Sequence, residues 1–389
     1  MKDKRLGIIF LTVFMDLVGF GIIIPLNPYL AKVYGASPLQ VGLLMSVYSL
    51  MQFLFAPVWG QLSDRYGRRP IILVSLLGSA LAHTGFGLAG TFEGLVIARA
   101  LAGLFGGNIS TAMAYIADIT DEKNRSKGMG MIGAAFGLGF LLGPVIGGVF
   151  ADYSPAFIAG GICFANFLGA IWYLPESLKP SAQRKVREPR WSKISRALTT
   201  PVLRSVMVLV FLNTFAMAHI EASLFLYVQD QFKWSLKEAS FGFAYIGLIL
   251  VFTQGYLIRK WMPKIGERKM LQIGLVVTAV GFLFTGLSSS VGLMAVAVTI
   301  LALGNGMTNP SLHGSVSLLS GEDVQGNNLG VSQSLSSIAR IIGPPTGGAL
   351  YQHFGTWSPF AAAASLVAVG AVMVLLLGKT LPEGGKTHV

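Results

Sequence analysis

The sequence predicts an all-α membrane protein with twelve transmembrane helices in two pseudo-symmetric six-helix bundles around a central cavity. Its 389 residues are 53% hydrophobic and only 12% charged, whereas soluble domains carry about 25% charged residues. Uncharged runs recur along the chain, and each is long enough for the roughly 20 residues that a membrane-spanning helix needs. Motifs also return about 200 residues later, and such a repeat predicts two related halves.

The apolar runs set the bounds of the twelve predicted helices. The first run is too long for the apolar region of a cleaved signal peptide. The predicted helices cover residues 6–30, 40–61, 70–90, 93–118, 127–150, 156–174, 202–229, 236–259, 269–288, 291–319, 326–351 and 357–378. The first six form a bundle within residues 1–175, the last six form another within residues 201–389, and residues 176–200 form a polar cytoplasmic linker.

A glycine-proline run in the fifth predicted helix returns in the eleventh after 200 residues, and the turn at Gly67 returns at Gly266 after 199. Small residues let helices approach closely, so we predict that these runs pack helices and limit leakage between the halves. The packing residues are Gly143, Pro144, Gly147, Gly148, Gly343, Pro344, Gly347 and Gly348.

Lysine and arginine concentrate on one side of the predicted helices. The side that holds both termini carries 24 of the 29 basic residues, and the opposite side carries Lys32, Lys233 and Lys237. Because basic residues favour the cytoplasmic side, we place both termini in the cytoplasm and the chain in the inner membrane. The net charge of +12 then reflects topology. It predicts contact with anionic lipid and no nucleic-acid partner.

The sequence contains one cysteine and no metalloprotease, serine-hydrolase or P-loop motif. We therefore expect no enzymatic activity, no metal and no cofactor. An ion gradient rather than ATP would supply the energy for transport.

A dense charged turn lies between the second and third predicted helices. Pro70 suits the first turn of a helix, and glycine permits a positive φ. The later copy of this turn has Pro263 in the place of Asp64. We predict a cytoplasmic gate in which Asp64 caps a helix of the second half and pairs with Arg125 or Arg340. The gate residues are Gly60, Asp64, Arg65, Gly67, Arg68, Arg69, Asp118, Arg125 and Arg340.

An ionisable residue inside a membrane helix indicates a structural or functional role, since each costs about 2.5–3.5 kcal/mol at the centre of the bilayer. Asp16 and Glu221 are the acids well inside predicted helices, each in the first helix of its half. Burial disfavours a charged carboxylate, so Asp16 could bind a proton on one side and release it on the other. The alternatives are a structural acid for Asp16, and a cation anchor or a pairing acid for Glu221. His219 and Glu221 face different sides of their helix, so they are not a metal pair.

Four motifs between residues 16 and 148 carry a family pattern. They are Asp16-x-x-Gly19-x-Gly21 with Pro25 and Pro28, the turn from Gly60 to Arg69, Arg99-x-x-x-Gly103, and Gly137 with Gly143–Gly148. Together they resemble the major facilitator superfamily, and within it the twelve-helix drug:proton antiporters such as the bacterial tetracycline efflux proteins.

The resemblance implies proton coupling by Asp16 and Arg99, and the position of Glu221 inside a predicted helix makes it a candidate for a second proton site. The third helix, around His83, lacks the aspartate that tetracycline exporters carry there. This departure favours other drugs or metabolites over a tetracycline–metal complex.

Polar and aromatic side chains near mid-depth are candidates for the lining of the central cavity. We also expect the segment from Asn305 to Pro310 to break the regularity of its helix. The lining candidates are Phe20, Asn27, Tyr48, Gln52, Asn108, Phe136, Asn213, His219, Tyr245, Gln254, Asn305 and Asn309.

These patterns predict a monomeric, proton-coupled antiporter that exports small amphipathic drugs or metabolites by alternating access. Two alternatives keep the fold, namely a lipid or lysolipid translocase and a sugar or metabolite exporter. A non-transporting receptor or scaffold would show an added soluble domain or a missing intramembrane acid, and the sequence shows neither.

Overall fold

A computed structural model describes residues 2–178, 199–321 and 324–381, and the described residues form helices and turns without any strand. The first half contains α1 (Lys2–Val33), α2 (Pro38–Tyr66), α3 (Arg68–Leu88), α4 (Phe92–Phe105), α5 (Asn108–Ile119), α6 (Glu122–Val149) and α7 (Pro155–Tyr173). The second half contains α8 (Pro201–Phe232), α9 (Leu236–Phe252), α10 (Ile258–Gly286), α11 (Val291–Leu318), α12 (Gln325–Phe354) and α13 (Ser358–Leu377).

The prediction of twelve membrane-spanning helices is confirmed. Ten helical spans in the described residues are long and apolar enough to cross a membrane. One of them, Leu236–Gly286, has 51 residues and is interrupted at Gly266, whose φ of 77° and ψ of 164° are not helical. This interruption separates the predicted eighth and ninth helices. The predicted eleventh helix is α12, a 30-residue helix that is too polar to count among the ten.

Two predicted helices are less regular than expected. The fourth is broken between α4 and α5, at Gly106 and Gly107. The eighth passes from α9 through a π-helical turn at Thr253–Leu257, a form that often occurs at functional sites.

The predicted break between Asn305 and Pro310 is wrong, because α11 continues through Pro310 as one helix. Proline is tolerated inside membrane helices where hydroxyl side chains and neighbouring helices satisfy the backbone. Pro310 removes the helical donor of the Gly306 carbonyl alone, and the adjacent turns stay bonded, with the hydroxyls of Thr308 and Ser311 donating in addition to the carbonyls of Gly304 and Met307.

The chain divides into two compact units. The first comprises Met1–Ala36, Leu43–Lys185 and Trp234–Gly247, and the second comprises Ser37–Gly42, Val186–Lys233 and Leu248–Val389. Each unit therefore takes in a short segment from the other half of the sequence. The predicted boundary at residues 176–200 stays a prediction, since residues 179–198 lie outside the described part of the chain.

The two units repeat the same helix pairs. In the first, α1 packs against α6 and α7, and α3 packs against α4 and α7. In the second, α8 packs against α12 and α13, and α10 packs against α11 and α13. The core of the first unit is apolar and includes Leu17, Leu76 and Tyr115. The repeated pairing shows that both units share one architecture.

Candidate functional site

The first cluster surrounds Arg99, whose side chain lies inside the first unit. Arg99 is 3% exposed, and its guanidinium carbon lies 4.4 Å from the ring centre of Tyr48 and 5.8 Å from that of Phe20. The Phe20 and Tyr48 rings are 4.9 Å apart. Aromatic faces attract a desolvated cation by about 2 kcal/mol, so the two rings stabilise a buried charge. The structure thus brings together three predicted site residues from α1, α2 and α4.

Side chains of α2 donate hydrogen bonds to backbone carbonyls at the break between α4 and α5. Trp59 Nε1 donates to the Leu104 carbonyl at 2.5 Å, and Gln52 Nε2 donates to the Gly106 carbonyl at 3.0 Å. Gln52 also donates to the Tyr48 hydroxyl at 3.3 Å. Because unpaired carbonyls are costly in lipid, Gln52 and Trp59 stabilise the broken helix beside Arg99.

Asp16 lies on α1, one helical turn before Phe20, and is partly exposed. Its Oδ1 lies 4.0 Å from the thiol sulfur of Cys163 on α7. The next turn of α1 is packed tightly, because a side chain at Gly19 would meet that same sulfur and the ring of His83. His83 is buried. Asp16 of α1 and His83 of α3 therefore both lie near Gly19, the residue that precedes Phe20 of the Arg99 cluster.

The second cluster occupies the charged turn between α2 and α3. Arg68 Nη1 donates to Asp64 Oδ1 at 2.5 Å and Nε donates to Asp118 Oδ2 at 3.1 Å. Nη1 also lies 2.7 Å from the Ser63 hydroxyl oxygen. The Arg68 side chain is only 9% exposed, so burial requires these partners. One guanidinium thus ties α2, α3 and α5 together.

A carboxylate from the segment after α7 completes this turn. Glu176 Oε1 accepts from the backbone N–H groups of Arg68, Ser177 and Leu178, and Oε2 accepts from that of Arg69. A carboxylate at a helix N-terminus is favourable because the first N–H groups lack helical partners. Gly67 has a φ of 104°, and a side chain there would collide with Glu176.

Other gate residues take different positions. Arg65 lies over the Tyr66 ring at 5.1 Å, and Arg69 Nη2 donates to the Ile171 carbonyl at 2.6 Å. Gly60 is buried, and its carbonyl accepts from Ser63 at 2.9 Å.

The predicted pairing of Asp64 with Arg125 or Arg340 stays a prediction. The Arg125 side chain lies outside the described residues, and Arg340 is partly buried on α12.

Glycines of α6 and α12 form equivalent seams with the first helix of each unit. Gly143 lies against Gly21 of α1, and Gly343 lies against Ala218 of α8. Gly347 approaches the backbone of His219. Gly148 lies against Lys237 and Ser240 in the first unit, while in the second Gly348 lies against Pro38 and Pro344 lies against Gly42.

The remaining lining candidates separate by burial. Asn27, Asn213 and Asn305 are buried, and their side-chain oxygens accept no hydrogen bond from described residues. Tyr245 and Gln254 are exposed. Phe136 and Asn309 are partly buried, and the Asn108 side chain lies outside the described residues. Glu221, predicted as a proton-coupling acid, is also partly buried.

Comparison with known proteins identifies the family. Residues 9–265 and 255–388 match the Major Facilitator Superfamily. The chain belongs to this superfamily. Tetracycline resistance protein class H of Pasteurella multocida is 31% identical over 88% of each chain. Multidrug resistance protein 2 of Bacillus subtilis is 29% identical over 98% of this chain and 95% of its own.

A solved member of similar shape is the human organic anion transporter MFSD10. It shares 25% identity with this chain, a TM-score of 0.73, and coverage of 96% of this chain and 99% of its own. The prediction of a multi-pass major facilitator superfamily transporter is confirmed.

Two residues that form hydrogen bonds in these clusters, Glu176 and Trp59, were not predicted from the sequence. The sequence places Glu176 at the start of the polar linker, although an acid directly after the sixth helix and Pro175 is a usable signal. Trp59 carried no charge and gave no such signal. In the described residues, no group of three or more His, Cys, Asp or Glu could hold a metal ion.

Proposed function

We propose that this major facilitator superfamily protein is a proton-coupled antiporter of the inner membrane, with both termini in the cytoplasm, that exports small amphipathic molecules by alternating access. The observation that carries the proposal is the buried Arg99 beside Phe20, with Asp16 one helical turn away on the same face of α1. Ionisable side chains inside membrane helices mark ion pathways in transport proteins.

Asp16 is the proton carrier in this proposal. It is partly exposed, so both water and substrate reach its carboxylate. In this proposal the carboxylate binds a proton from one side and gives it up when a substrate or a change of access alters its surroundings.

An amphipathic substrate fits the composition of the clusters. The rings of Phe20, Phe136 and Phe140 form a connected aromatic surface in the first unit. Asn27, Asn213 and Asn305 offer buried amide oxygens without described partners, and such groups call for water or a polar ligand group. The named relatives include a tetracycline resistance protein, a multidrug resistance protein and an organic anion transporter, so we infer a drug-like substrate rather than a single metabolite.

The test is transport by purified protein in proteoliposomes under an imposed pH gradient. The probes are ethidium, tetracycline, a lysolipid and a sugar, which separate drug export from the lipid and sugar alternatives. We expect ethidium or tetracycline to move in exchange for protons, and Asp16→Asn to abolish gradient-driven movement while the protein stays folded.

The matched control is Asp152→Asn, an exposed acid in the short 3₁₀ helix between α6 and α7, which should transport as the wild type does. Gradient-driven transport by Asp16→Asn would overturn the coupling assignment. Movement of lysolipid or sugar alone would overturn the proposed substrate class.

A further inference from the structure

The seam between α8 and α12 contains a hydrogen-bonded histidine that the Arg99 and Asp64 clusters do not use. His219 is 3% exposed. Its Nδ1 lies 2.7 Å from the Phe215 carbonyl oxygen on the same helix, and its Nε2 lies 3.3 Å from Thr346 Oγ1 on α12. Both ring nitrogens therefore have an oxygen partner within the second unit.

The first contact fixes the tautomer of the neutral ring. A carbonyl oxygen can only accept, so Nδ1 carries the hydrogen that it donates to Phe215. The neutral ring then presents the Nε2 lone pair to Thr346. The orientation of the His219 ring is held by the Phe215 ring, whose centre lies 4.3 Å from that of His219 at an interplanar angle of 85°.

The second contact has room for one more proton. The single hydroxyl hydrogen of Thr346 has two backbone acceptors on its own helix, Ile342 at 2.9 Å and Gly343 at 2.7 Å. If Nε2 is protonated, it donates to Thr346 Oγ1, and the hydroxyl still donates to its own helix. Every donor of the imidazolium and of the hydroxyl is then satisfied without moving a heavy atom.

We propose that His219 is a second proton-binding site, contributed by the second unit to the transport cycle. Burial disfavours a charged imidazolium, so the proton is held only while both nitrogens donate. A movement of α12 that separates Thr346 from His219 removes one acceptor and releases the proton. The Nε2–H bond breaks, a water molecule takes the proton as hydronium, and the ring returns to its neutral Nδ1–H tautomer. This proposal rests on the proposed proton-coupled transport.

The seam itself makes this contact sensitive to helix position. Gly347 lies against the His219 backbone, so α12 reaches α8 at the residue that binds the proton. Other ionisable groups lie on α8 and on the helices packed against it, and α13 contributes none. They are Arg204, Glu221, Tyr227 and Asp230 on α8, Arg340, Tyr351 and the exposed His353 on α12, and His313 on α11.

The direct test is nitrogen NMR of the full chain, labelled with ¹⁵N-histidine and reconstituted in nanodiscs. His219→Gln assigns the signal among the five histidines. We expect Nδ1 to carry hydrogen throughout, and Nε2 to become protonated as the pH falls from about 8 to 5. A ring that stays neutral over this range, or that carries its hydrogen on Nε2, overturns the proposal.

Two variants of the partner separate the hydrogen bond from general packing. Thr346→Val keeps the shape but removes the acceptor, so Nε2 should protonate only at lower pH. Thr346→Ser keeps the hydroxyl and should titrate like the wild type. Equal titration of the valine and serine variants would contradict the proposed network.

Transport gives a second readout. Gradient-driven ethidium movement should fall about tenfold or change its pH dependence in His219→Gln, while the exposed His353→Gln keeps the wild-type profile. An unchanged profile in His219→Gln overturns the role in transport. Absence of gradient-driven movement in the wild type is instead a failure of the proposed function, and the NMR titration then decides the histidine site alone.

Discussion

The two units of the protein share their packing but differ in their chemistry. Gly143 approaches Gly21 in the first unit as Gly343 approaches Ala218 in the second. One ionisable group inside the first helix of each unit nevertheless lies next to a different neighbour. Asp16 lies next to Cys163 of α7, whereas His219 lies next to Thr346 of α12. The repeat therefore preserves backbone contacts, while the polar side chains have diverged.

The charged turns show the same divergence. Gly67 and Gly266 have similar conformations, with φ of 104° and 77° and ψ of 159° and 164°. Arg68 in the first turn binds two carboxylates. Arg268 in the second donates to the Gly378 carbonyl at 3.3 Å. Position 263 holds a proline where the first turn has Asp64.

Removing the guanidinium from each turn should give the largest difference between the units. Arg68→Gln leaves the carboxylates of Asp64 and Asp118 facing each other without their shared cation. Breaking a buried ion pair costs about 3–5 kcal/mol, and partial exposure of the two acids reduces this to about 2 kcal/mol. Arg268→Gln should cost less than about 1 kcal/mol. Denaturant unfolding in mixed micelles measures both free energies.

Equal losses in the two variants would show that the carboxylates of the first turn add nothing to its stability. Lys264→Gln, in the helix before the second turn, is the control for loss of one positive charge.

Replacing Gly147 or Gly347, which are 200 residues apart, with alanine should give a smaller difference in stability between the two units. A methyl group at Gly147 would lie 3.5 Å from the Ile22 carbonyl oxygen, an ordinary contact, whereas at Gly347 it would collide with the backbone of His219. Overpacking costs about 1–3 kcal/mol. We therefore expect Gly347→Ala to lower the free energy of unfolding by about 1–2 kcal/mol and Gly147→Ala to leave it unchanged.

The thermal unfolding midpoint in detergent checks this ordering. Loss of stability in Gly147→Ala but not in Gly347→Ala would contradict the contacts of both seams.

Most of the fold could be predicted from the sequence because hydropathy in a membrane is a strong constraint. The predicted range 202–229 corresponds to Pro201–Phe232, and 156–174 corresponds to Pro155–Tyr173. Irregular positions were harder to predict. The break at Gly106 depends on Gln52 and Trp59 of another helix, whereas Pro310, a stronger local signal, leaves α11 intact.

Site residues could be named from the sequence, but their partners could not. Arg68 and Asp64 stood out by charge, whereas the role of Glu176 depends on a contact across 108 residues. Gln52 was expected to line a cavity, and its described bonds go to Gly106 and Tyr48. A side chain's type limits its chemistry, but tertiary packing selects which neighbour completes it.

The smallest expected loss of stability follows from Glu176→Gln, which replaces one of the two carboxylate oxygens by an amide nitrogen. An amide at this position keeps one acceptor, so Glu176→Gln can retain the three N–H groups at Oε1 while its NH₂ group meets the N–H of Arg69. One solvent-exposed bond to a charged acceptor is then lost and two donors face each other, which should cost about 1 kcal/mol. Glu93→Gln, an exposed acid in the first turn of α4, serves as the control in the same unfolding measurement. A loss as large as that of Arg68→Gln would mean that the charge of Glu176, rather than its bond to Arg69, holds the segment after α7 on the turn.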